Sequence, residues 1–239
     1  MTRPTIAALY VQKNGCYFGL PDVDPWDEER DARLYAGPHP VVAHPPCARW
    51  CRLAGLVESR YPHCKRGDDG GCFAAALAAV HRWGGILEHP AESKAWPAFD
   101  LPRPLHGAWI RTMDGGWVTQ VAQSSYGHRA EKLTWLYCFG VAPPSLRWEV
   151  APHSARVSYL QNRGASKVEL MHARERSATP PAFRDLLLDI ARSARGQHAK
   201  PKAWRSGLEA RLAEKDEDPE PAATPYPAEL VAVEKLEFV

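Results

Sequence analysis

The sequence predicts an α/β protein of three layers, built on a mostly parallel β-sheet. Three observations predict this class: apolar runs of strand length, helical periodicity between two of them, and glycines and prolines where these elements end. The 239 residues, 45% of them hydrophobic and 24% charged, are sufficient for one such domain with an appendage. The net charge of +2 neither requires nor excludes nucleic acid, because a local basic patch could still bind phosphate.

The first predicted elements are short and end in turns. Residues 6–11 (IAALYV) form an apolar run of the length of a buried strand, followed by a turn-rich loop at 14–19 and an acidic segment at 22–27. Residues 28–35 have the composition of one or two helical turns. Residues 41–43 (VVA) predict a second strand, which must end at the two prolines that follow because proline cannot continue a hydrogen-bonded ladder.

The next segment predicts a β-α-β unit. Residues 68–69 are aspartates suited to capping a helix, and apolar side chains recur at helical spacing over residues 73–80. Two glycines at 84–85 end this helix, and a strand then begins and closes within residues 86–90 (ILEHP). A crossover of this kind predicts that the two strands pair in parallel.

The second half of the chain predicts two further strands and a helix. Residues 117–121 alternate as a strand does, and residues 133–139 are rich in aromatic and β-branched side chains. The polar, basic loop 123–132 separates them. Two prolines open a helix that has apolar residues on one face over 183–190.

The predicted domain covers residues 1–195, and residues 196–239 form a polar tail that we expect to be largely disordered, with a short helix at 206–213. No apolar stretch is long enough to span a membrane and no signal-peptide pattern occurs, so we expect a cytoplasmic protein without a membrane partner. The six cysteines are then expected to be reduced thiols, metal ligands or catalytic groups.

Two chemically useful side chains follow neighbouring predicted strands. Cys47 comes just after one strand and Glu88 ends the next, so parallel pairing places both at the edge where α/β sheets hold ligands. His44, Arg49 and Arg52 could lower the pKa of the Cys47 thiol. A thiolate and a carboxyl group suit covalent activation of a pyrimidine: sulfur adds to ring carbon 6, and the carboxyl group holds ring nitrogen 3 and the exocyclic amine.

The order of short motifs resembles that of DNA cytosine-5 methyltransferases, and in particular the small methyltransferase-like proteins of phages and prophages. The motifs lie at residues 44–47 (HPPC), 88–90 (EHP), 127–134 (GHRAEKLT) and 174–181 (RERSATPP), within a stretch from about 41 to 191. The resemblance implies a Rossmann-like, methyltransferase-like fold. It also implies transfer of a one-carbon group from S-adenosylmethionine to carbon 5 of a pyrimidine in DNA, after the base is flipped from the duplex.

The same resemblance implies a role for individual residues. Cys47 would be the nucleophile, and Glu88 would recognise and protonate the base. The substrate or DNA contacts would be His44, Arg49, Gln123, His128, Arg129 and Lys132.

The S-adenosylmethionine loop is where the chain departs from the family. The family has a strand and a glycine-rich loop followed by an acidic residue for the ribose hydroxyls, whereas the region before residue 41 is shorter than the usual two β-α units here. The positions available for the cofactor are Asn14, Gly15, Asp22, Asp24, Pro45 and Pro46. Three explanations compete, of which the first is favoured: a divergent cofactor site, a loss of methyl transfer, or a different reaction on a pyrimidine or nucleic acid.

Two other hypotheses remain open at this point. In one, zinc is bound by the cysteines, with His44 and His63 interleaved: Cys47, Cys51, Cys64 and Cys72. In the other, the protein binds nucleic acid without methyl transfer, through basic residues interleaved with aromatic ones that could stack on bases. These residues are Arg49, Arg52, Arg60, Lys65, Arg66, Arg129 and Lys132, with Trp50, Tyr61 and Tyr126.

Overall fold

A computed structural model describes residues 5–157 and 169–194. Seven strands of this part of the chain form one sheet: β1 (Ile6–Leu9), β2 (Val23–Trp26), β3 (Val41–Ala43), β4 (Gly85–Pro90), β5 (Ile110–Arg111), β6 (Trp117–Ala122) and β7 (Leu133–Phe139). The other elements are a small parallel pair, β8 (Ala155–Arg156) and β9 (Glu169–Leu170), and the helices α1 (Ala54–Arg60), α2 (Cys72–Trp83), α3 (Ala95–Ala98), α4 (Ala173–Ser177) and α5 (Pro181–Arg192).

The strand order is β2-β1-β3-β4-β7-β6-β5, and the first four strands in this order are parallel. The predicted crossover is confirmed, because β3 and β4 are parallel neighbours joined through α2. Strand β7 is antiparallel to β4, and β6 is antiparallel to β7, so β6 again runs in the direction of the first four strands. The α/β class and the mostly parallel sheet are therefore confirmed.

Two hydrophobic clusters receive alternate side chains of the central strands. Leu9 and Leu87 belong to the cluster that contains Phe73 of α2, whereas Ile86 belongs to the cluster that contains Phe183 of α5. Successive strand residues point to opposite faces of a sheet, which explains this division. The periodic apolar face predicted for each of these two helices is thus buried against the sheet.

Some predicted elements are shorter than expected. The first strand ends at Leu9 because Tyr10 takes a left-handed backbone conformation, with φ of 60°. Of residues 28–35, only Ala32–Leu34 forms a 3₁₀ turn. The predicted tail and its short helix at 206–213 lie outside the described residues. No helix in the described ranges is long and apolar enough to cross a membrane.

Asp69 holds the start of α2 in place. Its carboxylate accepts hydrogen bonds from the backbone N–H of Phe73 at 2.8 Å, from that of Gly71 at 3.0 Å and from Nε1 of Trp50 at 2.8 Å. We expect Asp69→Ala to lower the free energy of unfolding by about 2 kcal/mol, because three donors lose their acceptor. Urea titration measures this loss. The exposed Asp68 provides the control, since Asp68→Ala should change the free energy of unfolding by no more than about 0.5 kcal/mol.

Candidate active site

The candidate site lies at the carboxyl edge of the parallel strands. Cys47 follows the end of β3, and Glu88 lies in β4, one residue beyond the paired residues Ala43 and Leu87. This edge includes a topological switch point, where the order of the strands reverses direction, because β2 lies on one side of β1 and β3 lies on the other. Ligands of open α/β sheets bind at such points. The structure therefore brings Cys47 and Glu88 to one place.

Glu88 and four other side chains form a hydrogen-bonded chain, which we call the Glu88 network: Tyr17, His44, Glu88, Gln123 and Thr134. The Glu88 carboxylate accepts from Nδ1 of His44 at 2.9 Å and from Nε2 of Gln123 at 3.2 Å. Nε2 of His44 lies 2.8 Å from the hydroxyl oxygen of Tyr17, and Nε2 of Gln123 donates to Oγ1 of Thr134 at 2.9 Å. The network joins the loops that follow β1, β3 and β6 to the strands β4 and β7.

The sheet topology explains how Gln123 reaches Glu88. Strand β6 ends at the same edge as β4, and Gln123 is the next residue, at the start of the 3₁₀ turn Gln123–Tyr126. Its backbone N–H donates to the carbonyl oxygen of Lys132 at 3.2 Å, which turns the loop back toward β7. Strand β7 pairs directly with β4 and places Thr134 opposite Pro90.

The Glu88 carboxylate is ionised at neutral pH. Burial raises its pKa, but the hydrogen bond from His44 and the positive charge of Lys132 outweigh burial, and the pKa of Glu88 falls below its usual value. The side chain is only 13% exposed, so a fixed negative charge is held in a mostly buried position. Such a charge is suited to accept hydrogen bonds from a bound ligand.

The Cys47 thiol is protonated at neutral pH. Burial raises the pKa of Cys47 to about 12, and the charges of Cys51 and Glu88 act in the same direction. The cation that opposes this rise is Lys132. His44, Arg49 and Arg52 were predicted to lower the pKa of this thiol, but His44 is hydrogen-bonded to Glu88 instead. The thiol is therefore not a preformed thiolate.

Lys132 is half-buried, and its positive charge acts on this site. Its backbone is left-handed, with φ of 41°, and its Nζ donates to the carbonyl oxygen of Ala178 at 3.0 Å. Burial lowers the pKa of Lys132, whereas the negative charges of Glu88 and Cys47 raise it. The charge of Lys132 thus acts on both the Cys47 thiol and the Glu88 carboxylate, and its contact with DNA phosphates stays a prediction.

Other predicted nucleic-acid contacts are engaged within the protein. His128 is buried, and its Nδ1 accepts from the backbone N–H of Ala130 at 3.0 Å. Arg129 forms ion pairs with Glu169 at 2.9 Å and Glu175 at 2.6 Å. Arg49 lies half-buried in the turn after Cys47.

Two of the aromatic residues that the nucleic-acid hypothesis made available for base stacking are buried within the protein. Trp50 packs against Phe73 and Phe99, and its Nε1 donates to Asp69. Tyr126 packs against Phe183.

The acidic residues predicted to bind S-adenosylmethionine do not lie at the candidate site. Asp22 precedes β2, at the opposite edge of the sheet from Cys47, and forms an ion pair with Arg192 at 2.6 Å. Asp24 lies within β2 and is bound to Arg30 and to Nε1 of Trp26.

The loop residues predicted for that cofactor lie in different surroundings. Asn14 is exposed, and Gly15 closes a tight turn, where a Cβ atom would meet the carbonyl oxygen of Gln12 at 2.7 Å. Tyr17 is buried between the loops after β1 and β3, where it contacts His44. Pro45 is buried and Pro46 is exposed. The six predicted residues do not fit S-adenosylmethionine as one site.

The zinc hypothesis gains no support from the structure. Cys47, Cys51, Cys64 and Cys72 are all free thiols. Among the residues that the structure describes, no three His, Cys, Asp or Glu side chains are placed to hold a metal ion. The spacing of the cysteines in sequence is therefore not matched by a cluster in space.

Tyr17 and Thr134 are the members of the Glu88 network that the sequence analysis did not select. The sequence indicates Thr134, because it is the last residue of the motif at 127–134. No sequence pattern indicates Tyr17, since it contacts His44 from a loop 27 residues away. No family model, curated protein or solved structure gives a significant match to this chain.

Proposed function

We propose that this protein is a DNA pyrimidine-modifying enzyme that activates its target base through Cys47, as cytosine-5 methyltransferases do. The observation that carries the proposal is the position of the Cys47 thiol beside the ionised Glu88 carboxylate at the carboxyl edge of the sheet. A three-layer, Rossmann-like architecture, with α2 and α5 on opposite sides of the sheet, is part of the same proposal.

The chemistry follows from these two groups. The Sγ–H bond of Cys47 breaks and its proton passes to solvent, while Sγ bonds to ring carbon 6 and the electron pair of the C5–C6 double bond makes carbon 5 nucleophilic. Ring nitrogen 3 takes up a proton from solvent, which balances the proton lost by the thiol, and the ionised Glu88 accepts hydrogen bonds from this N–H and from the amine. Lys132 favours the step because its positive charge stabilises the developing thiolate.

The charge around Cys47 favours a nucleic acid as the substrate. The segment between β3 and α2 carries Cys47 at its start and exposes Arg52, Arg60 and Lys65. Exposed basic side chains in the segment that follows the nucleophile are suited to contact DNA phosphates. The proposed function does not include the donor of the transferred group, because Asp22, one of the residues predicted for S-adenosylmethionine, lies at the opposite edge of the sheet from Cys47.

Covalent trapping tests this function without any donor. The probe is an oligonucleotide pool with one 5-azacytosine flanked by randomised sequence, because ring nitrogen 5 makes carbon 6 more susceptible to attack by sulfur. We expect a protein–DNA adduct that survives denaturing electrophoresis, whereas the matched pool with cytosine should leave none. Failure of the 5-azacytosine pool to form an adduct would contradict the proposed function.

A further inference from the structure

Both N–H donors of the Gln123 side chain are used within the protein. A carboxylate can only accept, so the contact with Glu88 requires that Nε2 of Gln123 faces it. The hydroxyl group of Thr134 donates to the carbonyl oxygen of Lys132 at 3.1 Å, so its Oγ1 accepts the second N–H of Gln123. These two contacts fix the orientation of the amide.

The amide oxygen of Gln123 is consequently left as an unused acceptor. Gln123 is 1% exposed, and its Oε1 has no hydrogen-bond donor in the described part of the chain. A buried carbonyl oxygen without a donor is costly, so such groups are uncommon unless a ligand completes them. The Glu88 carboxylate bonded to the same side chain can accept more hydrogen bonds than the two it receives from His44 and Gln123. A ligand that fits here has to supply donors.

We propose that Oε1 of Gln123 accepts a hydrogen bond from the exocyclic amino group of the target base, which makes Gln123 a specificity-determining residue. This inference rests on the proposed function and extends it to the choice of base. A pyrimidine with a 4-amino group offers two N–H donors, which Gln123 and Glu88 can share. A 4-keto pyrimidine would instead place a carbonyl oxygen against two acceptors, and the site would reject it.

The test compares two probes that differ at ring carbon 4. The first is the pool with 5-azacytosine, which carries the amino group, and the second is the same pool with 2-pyrimidinone, which carries only hydrogen there. In Gln123→Met, we expect trapping of 5-azacytosine to slow by about tenfold relative to 2-pyrimidinone, because the amino group loses an acceptor, whereas loss of the N–H contact with Glu88 affects both probes. Trapping of 2-pyrimidinone should change by less than about threefold, which also shows that the variant is folded. The rate for 5-azacytosine is divided by the rate for 2-pyrimidinone in each protein. The change in this ratio between the variant and the unmodified protein does not depend on the intrinsic reactivity of the probes.

Gln120→Met is the matched control. Gln120 lies in β6, and its Oε1 accepts from Nε1 of Trp135 at 2.9 Å, so this variant also loses a glutamine hydrogen bond but leaves Glu88 untouched. Its probe ratio should equal that of the unmodified protein. An unchanged ratio in Gln123→Met would overturn the role of Gln123 alone, whereas failure of the unmodified protein to trap either probe would overturn the proposed function.

Discussion

Cys47→Ser is expected to slow covalent trapping of the 5-azacytosine pool by about 1,000-fold or more. A serine hydroxyl is much harder to deprotonate than a thiol and is a weaker nucleophile. Among the described groups, Lys132 is the cation that favours loss of the proton from residue 47, and its effect is already outweighed by burial in the native thiol. The variant preserves the size of the side chain, so the fold should persist.

Cys51→Ser is the control for this substitution. Cys51 lies on the same turn, and its Sγ donates to the carbonyl oxygen of Ala48 at 3.5 Å. A serine hydroxyl can make the same bond, and we expect trapping close to that of the unmodified protein. Trapping by Cys47→Ser at a rate similar to that of Cys51→Ser would exclude Cys47 as the nucleophile.

Glu88→Gln is expected to change two reactions of Cys47 in opposite directions. Trapping of 5-azacytosine should slow by about 100-fold or more, because the base loses its charged partner. Alkylation of Cys47 by iodoacetamide should become faster at a given pH, because the negative charge of Glu88 raises the pKa of the thiol and glutamine removes that charge. The alkylation profile should therefore shift to lower pH.

A loss of structure would also slow trapping and speed alkylation, because burial is the main cause of the raised pKa of Cys47. Urea unfolding of Glu88→Gln therefore accompanies both rates, and the chemical role requires a free energy of unfolding within about 0.5 kcal/mol of that of the unmodified protein. An alkylation profile that does not move would contradict the coupling between Glu88 and Cys47. Glu92→Gln supplies the control, because Glu92 lies just after β4 and forms an ion pair with Arg103. The rates of trapping and of alkylation in Glu92→Gln should match those of the unmodified protein.

The crossover around the site could be predicted because its signals are local. The prolines after β3, the periodic face of α2 and the glycines before β4 each act within a few residues, and they place Cys47 and Glu88 at one edge. The order of the last three strands could not be predicted, since it depends on pairing between β4 and β7 across a long stretch of chain.

The polar partners in the site also depend on distant contacts. Lys132 lies in a polar, basic loop, where a solvated side chain is the ordinary expectation, but it is half-buried and its charge acts on Glu88 and Cys47. Arg129 was expected at DNA, but its carboxylate partners come from residues 40 and 46 positions further along the chain. Local sequence patterns do not encode such pairs.

The position of the covalent bond tests the central claim most directly. Trypsin cleavage after Arg33 and Arg49 yields a peptide of residues 34–49 in which Cys47 is the sole cysteine, and the next peptide, 50–52, carries Cys51. After trapping of the 5-azacytosine pool and nuclease digestion, mass spectrometry should find the nucleotide on peptide 34–49. A nucleotide attached to any other cysteine peptide would contradict the account.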